Sequence, residues 1–176
     1  MQTAVFGGGC FWCTEAVFQM LKGVSKVESG YAGGTKDRPS YEEVSEGNTG
    51  YAEVIRVTYD PTIISYEDLL TVFFGSHDPT TPNRQGADVG EQYRSVIFYS
   101  SDEEKAAAVK IIKEVNESLT DGTRVVTQIE KLVQFYPAEG YHKDYYTKNT
   151  SVPYCQLIIE PKIENVRKRF SELVQL

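Results

Sequence analysis

Cys10 and Cys13 bracket two aromatic side chains, and three consecutive glycines, Gly7 to Gly9, lead into the pair. Where a glycine turn enters a helix, several backbone N–H groups lack partners and carry partial positive charge. A thiol placed there has its thiolate stabilised and its pKa lowered. Cys10 occupies that position, and the thiolate is the nucleophilic form. A free cysteine is ordinarily a small buried hydrophobe. Three adjacent glycines, however, cost entropy without adding packing, and they suit a sharp bend or a close ligand approach. Phe11 and Trp12 read first as core residues. Beside a nucleophile they also suit the walls of a small apolar pocket for a methyl or thioether group, because sulfur packs well against aromatic rings.

The remaining chemistry is sparse. Cys155 is the third cysteine, and His77 and His142 are the only histidines. Three cysteines are too few for a disulfide scaffold, so C-x-x-C reads as redox or metal chemistry. Cys10, Cys13, Cys155 and one histidine would make four ligands. No second C-x-x-C and no H-x-x-x-H supports a metal, and none is expected. The formal net charge of -7 argues against a nucleic-acid partner, which needs a basic face. No apolar run approaches the ~20 residues of a membrane span, and MQTAVFGGG lacks the features of a secretory signal. The expectation is a cytoplasmic protein, not bound to membrane, monomeric by default.

These groups need elements to hold them. The 176 residues, 40% hydrophobic and 24% charged, fit one domain spanning 1–176 with a real core. TAVF reads as a strand, and CFWCTEAVFQMLKG as a helix stopped at Gly23. VSKVESGYAGG, AEVIRVTYDP and RSVIFYS read as strands. Ser65 with Asp68, and Ser101 with Glu104, are capping-box signatures opening two further helices. VVTQIEKLV and YCQLIIEP are expected as strands and PKIENVRKRFSEL as a last helix. The order β-α-β-β-α-β predicts an α+β fold with a ferredoxin-like core, a mixed, largely antiparallel sheet and helices on one face. Three long loops, rich in tyrosine, glycine and acids, are expected to serve a site. They are GTKDRPSYEEVSEGNTG, SHDPTTPNRQGADVGEQY and YPAEGYHKDYYTKNTSVPY.

The run GCFW, together with SGYAGG, SYEEVSEGNTGYAEVIRVTYDP, HDPT, RQGADVGEQYRSVIFY and YHKDYY in that order, resembles the class A peptide methionine sulfoxide reductases. Those enzymes reduce the S epimer of methionine sulfoxide, free or protein-bound. The likeness runs from Phe6 to about Leu157. It implies Cys10 as nucleophile, with Phe11 and Trp12 holding the substrate methyl group. It implies Glu53 as the acid, Tyr41 and Tyr93 as donors to the sulfoxide oxygen, and Asp88 as an organiser of the same site. By residue type alone Glu53 reads as a solvated strand carboxylate, and twelve tyrosines do not single out two. The chemistry asks for a nucleophile at sulfur and an acid at oxygen, so Glu53 must be neutral near pH 7, which burial would bring about.

Attack by Cys10 leaves a sulfenic acid, which condenses with a nearby thiol. Many members of the family lack a cysteine at the position of Cys13. Cys13 and Cys155 both stand as the resolving cysteine, with Cys155 preferred and the order of transfer open. The resemblance implies no bound cofactor, and thioredoxin as external reductant, replaced by dithiothreitol in vitro. The alternatives are a general CxxC thiol-disulfide oxidoreductase, which needs no acid at Glu53, a Cys-His hydrolase using His77 or His142, and a binding module without turnover.

Overall fold

Alternating apolar residues in the first nine positions build the innermost strand. In the computed structural model, which describes residues 1–175, β1 (Gln2–Gly8) turns Ala4 and Phe6 to one face of a sheet and Val5 to the other. It is followed by α1 (Phe11–Phe18), β2 (Val24–Ala32), α2 (Tyr41–Ser45), β3 (Ala52–Tyr59) and α3 (Tyr66–Ser76). Then come the two-residue strands β4 (Arg84–Gln85) and β5 (Asp88–Val89), β6 (Ser95–Tyr99) and α4 (Asp102–Ser118). The chain closes with β7 (Gln128–Lys131), β8 (Phe135–Pro137), α5 (Tyr145–Lys148) and α6 (Glu160–Arg169).

The main sheet has the order β7-β6-β1-β3-β2-β8. Its four central strands, β6-β1-β3-β2, are antiparallel throughout, the order of a split β-α-β unit. Among the described residues only β6–β7 is parallel, and α4 lies between those two strands in the chain. Register pairs Phe6 with Ile55 and Tyr31 with Glu53. Phe6, Ile55, Val57 and Ile97 pack with α1 and α3 in the larger core, where Phe6 stacks on Phe73 with ring centroids 5.1 Å apart. Val5, Val54, Val96, Phe98 and Phe135 form a smaller cluster on the opposite face, composed of strand residues. The mixed α+β architecture with its helices on one face is the one the element order predicts.

Three local expectations change. Helix α1 ends at Phe18, and the chain bends on to Gly23, which has φ 82°. Seven of its eight residues are buried, so it is a core helix and not a half-exposed one. Ser101 caps α4 through the Glu104 N–H, but the Glu104 carboxylate takes the N–H of Ser100, one residue earlier than a capping box requires. YCQLIIEP is not a strand: Cys155–Ile159 form a π-helical turn that runs directly into α6. Its apolar run looks β-like, yet Cys155, Ile159, Ile163 and Val166 are buried at helical spacing. Pro161 stands where the π-helical turn meets α6, and its missing N–H interrupts the helical ladder at that junction. The three long loops also carry small elements: α2 in the first, the β4–β5 hairpin in the second, α5 in the third. Among the described residues no helix is long and apolar enough to cross a membrane.

Candidate active site

The glycine run is where β1 hands the chain to α1. A Cβ at Gly7 would meet Val96 at 2.8 Å and the Glu53 carbonyl at 3.1 Å, so the absent side chain lets β1 close on its neighbours. Gly9 has φ 101°, a left-handed backbone that turns Cys10 into the N-cap of α1. Strand alternation puts Glu53 on the helix face with Ile55 and Val57, and there it is 1 % exposed. Its Oε1 accepts the Phe11 N–H at 3.1 Å, one residue past the thiol. Burial, reinforced by the charges of Asp88 and Cys13 and opposed by that N–H, pushes the Glu53 pKa up to about 8. The carboxyl is therefore protonated at neutral pH.

The thiols do not follow the expectation of a helix N-terminus. The Trp12 N–H does draw the Cys10 pKa down, but burial, hydrogen bonding to Cys13 and the charge of Glu53 together hold it well above the ordinary thiol value. Desolvation outweighs the helix end. Cys13 is the acidic thiol. Its pKa is lowered to about 7, first by the Cys10 thiol acting as donor, against burial, and then by the charge of Lys162. Tyr154 Oη lies 3.5 Å from Cys13 Sγ and donates to Asp88 Oδ2 at 2.7 Å. Cys10 and Cys13 open on a cleft of about 520 Å³ whose other walls include Gln85, Asp88, Tyr154 and Lys162. Cys155 is fully buried in the same apolar cluster as both. Cys10, Cys13 and Cys155 are all free and buried.

An aromatic wall stands beside the thiols. Phe11 is fully buried and packs on Tyr31, Tyr41 and His142. Trp12 is half-buried and lies flat on Tyr145, centroids 3.7 Å apart and planes 6° from parallel. Its Nε1–H donates to His142 Nδ1 at 3.0 Å, so the neutral imidazole carries its proton on Nε2. Burial lowers the His142 pKa. Tyr41 opens α2 and Tyr93 ends a 3-10 turn, Glu91–Tyr93. Burial, then the charges of Glu53 and Cys10, push the Tyr41 pKa up to about 12, and the same causes raise Tyr93. Both hydroxyls remain donors at any working pH. Among the described residues no three His, Cys, Asp or Glu side chains are grouped to hold a metal ion.

The family model described as Peptide methionine sulfoxide reductase matches residues 2–174. The Sulfolobus acidocaldarius peptide methionine sulfoxide reductase MsrA is 52% identical over 172 residues, covering 98% of this chain and 97% of the relative. The chain belongs to the peptide methionine sulfoxide reductase family. It is accordingly an oxidoreductase. Among solved structures, reduced Mxr1 from Saccharomyces cerevisiae superposes with TM-score 0.82 at 37% identity, covering 88% of each chain. Mxr1 in complex with Trx2 superposes with TM-score 0.57 at 27% identity, covering 82% of this chain and 84% of that one.

Within this reductase fold the residues singled out from sequence, Cys10, Phe11, Trp12, Cys13, Tyr41, Glu53, Asp88, Tyr93 and Cys155, all come to one region. Two further residues carry no residue-type signal, because each acts through another site residue: Tyr145 stacks on Trp12, and Glu139 accepts from the Tyr31 hydroxyl at 2.8 Å and the Tyr41 N–H at 2.9 Å. His142, expected only as the base of a hydrolase, instead accepts the Trp12 Nε1–H. Glu53 did carry a signal: its strand parity with Ile55 and Val57 predicts an inward side chain. Neither histidine hydrogen-bonds a cysteine, as a Cys-His hydrolase would require. His77 is tied to Ser95 Oγ at 2.8 Å and packs on Phe73.

Proposed function

We propose that the protein reduces the S epimer of methionine sulfoxide, free or in proteins, with Cys10 as nucleophile and Glu53 as proton donor. The observation that carries this reading is a buried carboxyl, protonated at neutral pH, set at the same helix start as a thiol. Sulfoxide reduction needs both groups at once. Cys10 sulfur attacks the sulfoxide sulfur as its proton passes to the Cys13 thiolate. The sulfoxide oxygen, held by the Tyr41 and Tyr93 hydroxyls, takes the Glu53 proton. Phe11 and Trp12 enclose the methyl group, and Asp88 fixes Tyr154 at the edge of the cleft.

The oxygen leaves with Cys10 as a sulfenic acid, and methionine is released. Cys13, now a neutral thiol, attacks the Cys10 sulfur, forming a disulfide and expelling water. Cys155 lies in the same cluster and takes over the disulfide from Cys10 by attack on Cys13, freeing Cys10. The three cysteines share one apolar cluster, and three-residue spacing on α1 supports Cys13 acting first and Cys155 second. No cofactor takes part. Thioredoxin restores the dithiol by exchange, consistent with the solved complex of Mxr1 with Trx2; dithiothreitol substitutes in vitro.

The test is turnover of N-acetyl-methionine sulfoxide with dithiothreitol, each epimer assayed separately. The S epimer is consumed and the R epimer is not, and Cys10→Ser abolishes the reaction because a hydroxyl without a base is a poor nucleophile. Loss of both epimers at one rate, or of neither, removes the reading and leaves a plain dithiol oxidoreductase, for which Glu53 has no task.

A further inference from the structure

Arg94 follows Tyr93 in the chain, is buried at 8 % exposure and has no part in the chemistry above. Its guanidinium reaches three segments. Nε donates to Gln128 Oε1 on β7 at 3.0 Å, Nη1 to the Glu91 carbonyl at 3.0 Å and Nη2 to the Gly50 carbonyl at 3.0 Å. A Cβ at Gly33 would meet Nη2 at 2.8 Å, so the absent side chain there makes room for the planar group. The Glu91 carboxylate completes the arrangement, because its Oε1 accepts the Gly50 N–H at 2.8 Å. Both backbone groups of Gly50 are thus taken by side chains on either flank of Tyr93. Gly50 ends the first long loop and lies three residues before Glu53. The turn that presents Tyr93 is therefore fastened to the entry of the strand that carries Glu53, and the Tyr93 ring packs on the cluster of Cys10 and Cys13.

We propose that Glu91 and Arg94 are positioning residues: together they clamp Gly50, and so fix the Tyr93 hydroxyl relative to the Glu53 carboxyl. The consequence for turnover rests on the reading of Tyr93 as a donor to the sulfoxide oxygen. That oxygen gains negative charge only as its bond to sulfur breaks, so a displaced hydroxyl weakens the transition state more than the bound substrate. Loss of the clamp lowers the rate of the chemical step and spares substrate affinity.

Methionine release in a single turnover, followed across S-epimer concentrations, reads the two quantities separately. Glu91→Ala lowers the maximal rate about tenfold and leaves the half-saturating concentration within about twofold. Glu91→Gln keeps an acceptor oxygen for the Gly50 N–H and returns the rate to within about threefold of the wild type. Arg94→Lys, a point donor in place of a planar fork, behaves as Glu91→Ala does. In a Tyr93→Phe background, with no hydroxyl left to position, Glu91→Ala slows release by less than about threefold. An unchanged rate in a folded Glu91→Ala overturns the proposal, as does a loss of the same size in the Tyr93→Phe background. Should Glu91→Ala not fold, Glu91→Asp, whose shorter arm draws the carboxylate back from Gly50, decides by the same criteria. Hydrogen exchange at the Gly50 amide, read by NMR, tests the clamp without turnover: it quickens about tenfold in Glu91→Ala, and unchanged exchange overturns the clamp. Failure of the wild type to reduce methionine sulfoxide would remove the reading of Tyr93 instead, and exchange at Gly50 would still decide whether Glu91 holds the turn.

Discussion

At Cys10 two opposing effects meet, and their sizes decide where the charge of the site resides. One N–H, that of Trp12, favours the thiolate; burial and the neighbouring Glu53 disfavour it, and they win. The charge therefore rests on Cys13, which has Lys162 nearby. In the proposed mechanism the nucleophile is stored as a thiol next to its own base, and the acid is stored protonated beside it. This arrangement predicts a bell-shaped pH dependence of kcat/KM. The acid limb follows the thiol pair, with Cys13 at about 7, and the alkaline limb follows Glu53 at about 8; the apparent values belong to the cluster as a whole. Methionine release in a single turnover isolates the first step from disulfide exchange. In that assay Cys13→Ser slows release at pH 7 by about 10²-fold, the low end for a lost general base, and moves the acid limb upward. An unaltered single-turnover rate would show that Cys13 takes no proton from Cys10.

Two capping boxes of the same chemistry separate scaffold from site. Ser65 and Asp68 close the start of α3, whose Phe73 belongs to the main core. Ser40 and Glu43 close the start of α2, a five-residue helix that presents Tyr41. Ser65→Ala is expected to cost about 1 kcal/mol in urea unfolding and to leave kcat/KM unchanged. Ser40→Ala removes a cap from a short element whose opening does not unfold the core, so global stability changes by less than about 0.5 kcal/mol. Its kcat/KM falls severalfold, because Tyr41 loses its fixed start. A reversed pattern would mean that the first loop is part of the folding core. The Ser65 box was legible because it precedes a long apolar helix. The Ser40 box lay in a stretch so polar that it read as loop.

At the scale of the whole chain, legibility divides along the same line. The central strands and α3 follow from alternation, caps and 3.6-residue spacing, all local signals. The π-turn at Cys155 is not legible, because an apolar, β-branched run does not show that its partners are buried cysteines 142–145 positions away in sequence. Tyr41 and Tyr93 were chosen by resemblance alone, since their selection depends on which loop folds over Glu53. Burial of that carboxyl ties the chemistry to folding. Glu53 at about 8 and Glu15 at about 7 both bind protons more tightly folded than unfolded. From roughly pH 4.5 to 8 these two carboxyls hold more protons in the native state, and their contribution to stability falls as pH rises. The contribution is fully present below the ordinary carboxyl pKa and is lost as pH passes the folded values. Glu53→Gln is neutral at every pH and still accepts the Phe11 N–H. Its unfolding free energy in urea should fall less steeply between pH 5 and 8, the remaining slope arising in part from Glu15. At pH 8 it should exceed the wild type by about 1–3 kcal/mol, while sulfoxide reduction drops about 10²–10⁴-fold. A variant made more stable and less active by the same substitution is what a stored acid requires. Parallel pH slopes in the two proteins would mean that Glu53 is already ionised when folded, and the proton for the sulfoxide oxygen would have to come from Tyr41 or Tyr93.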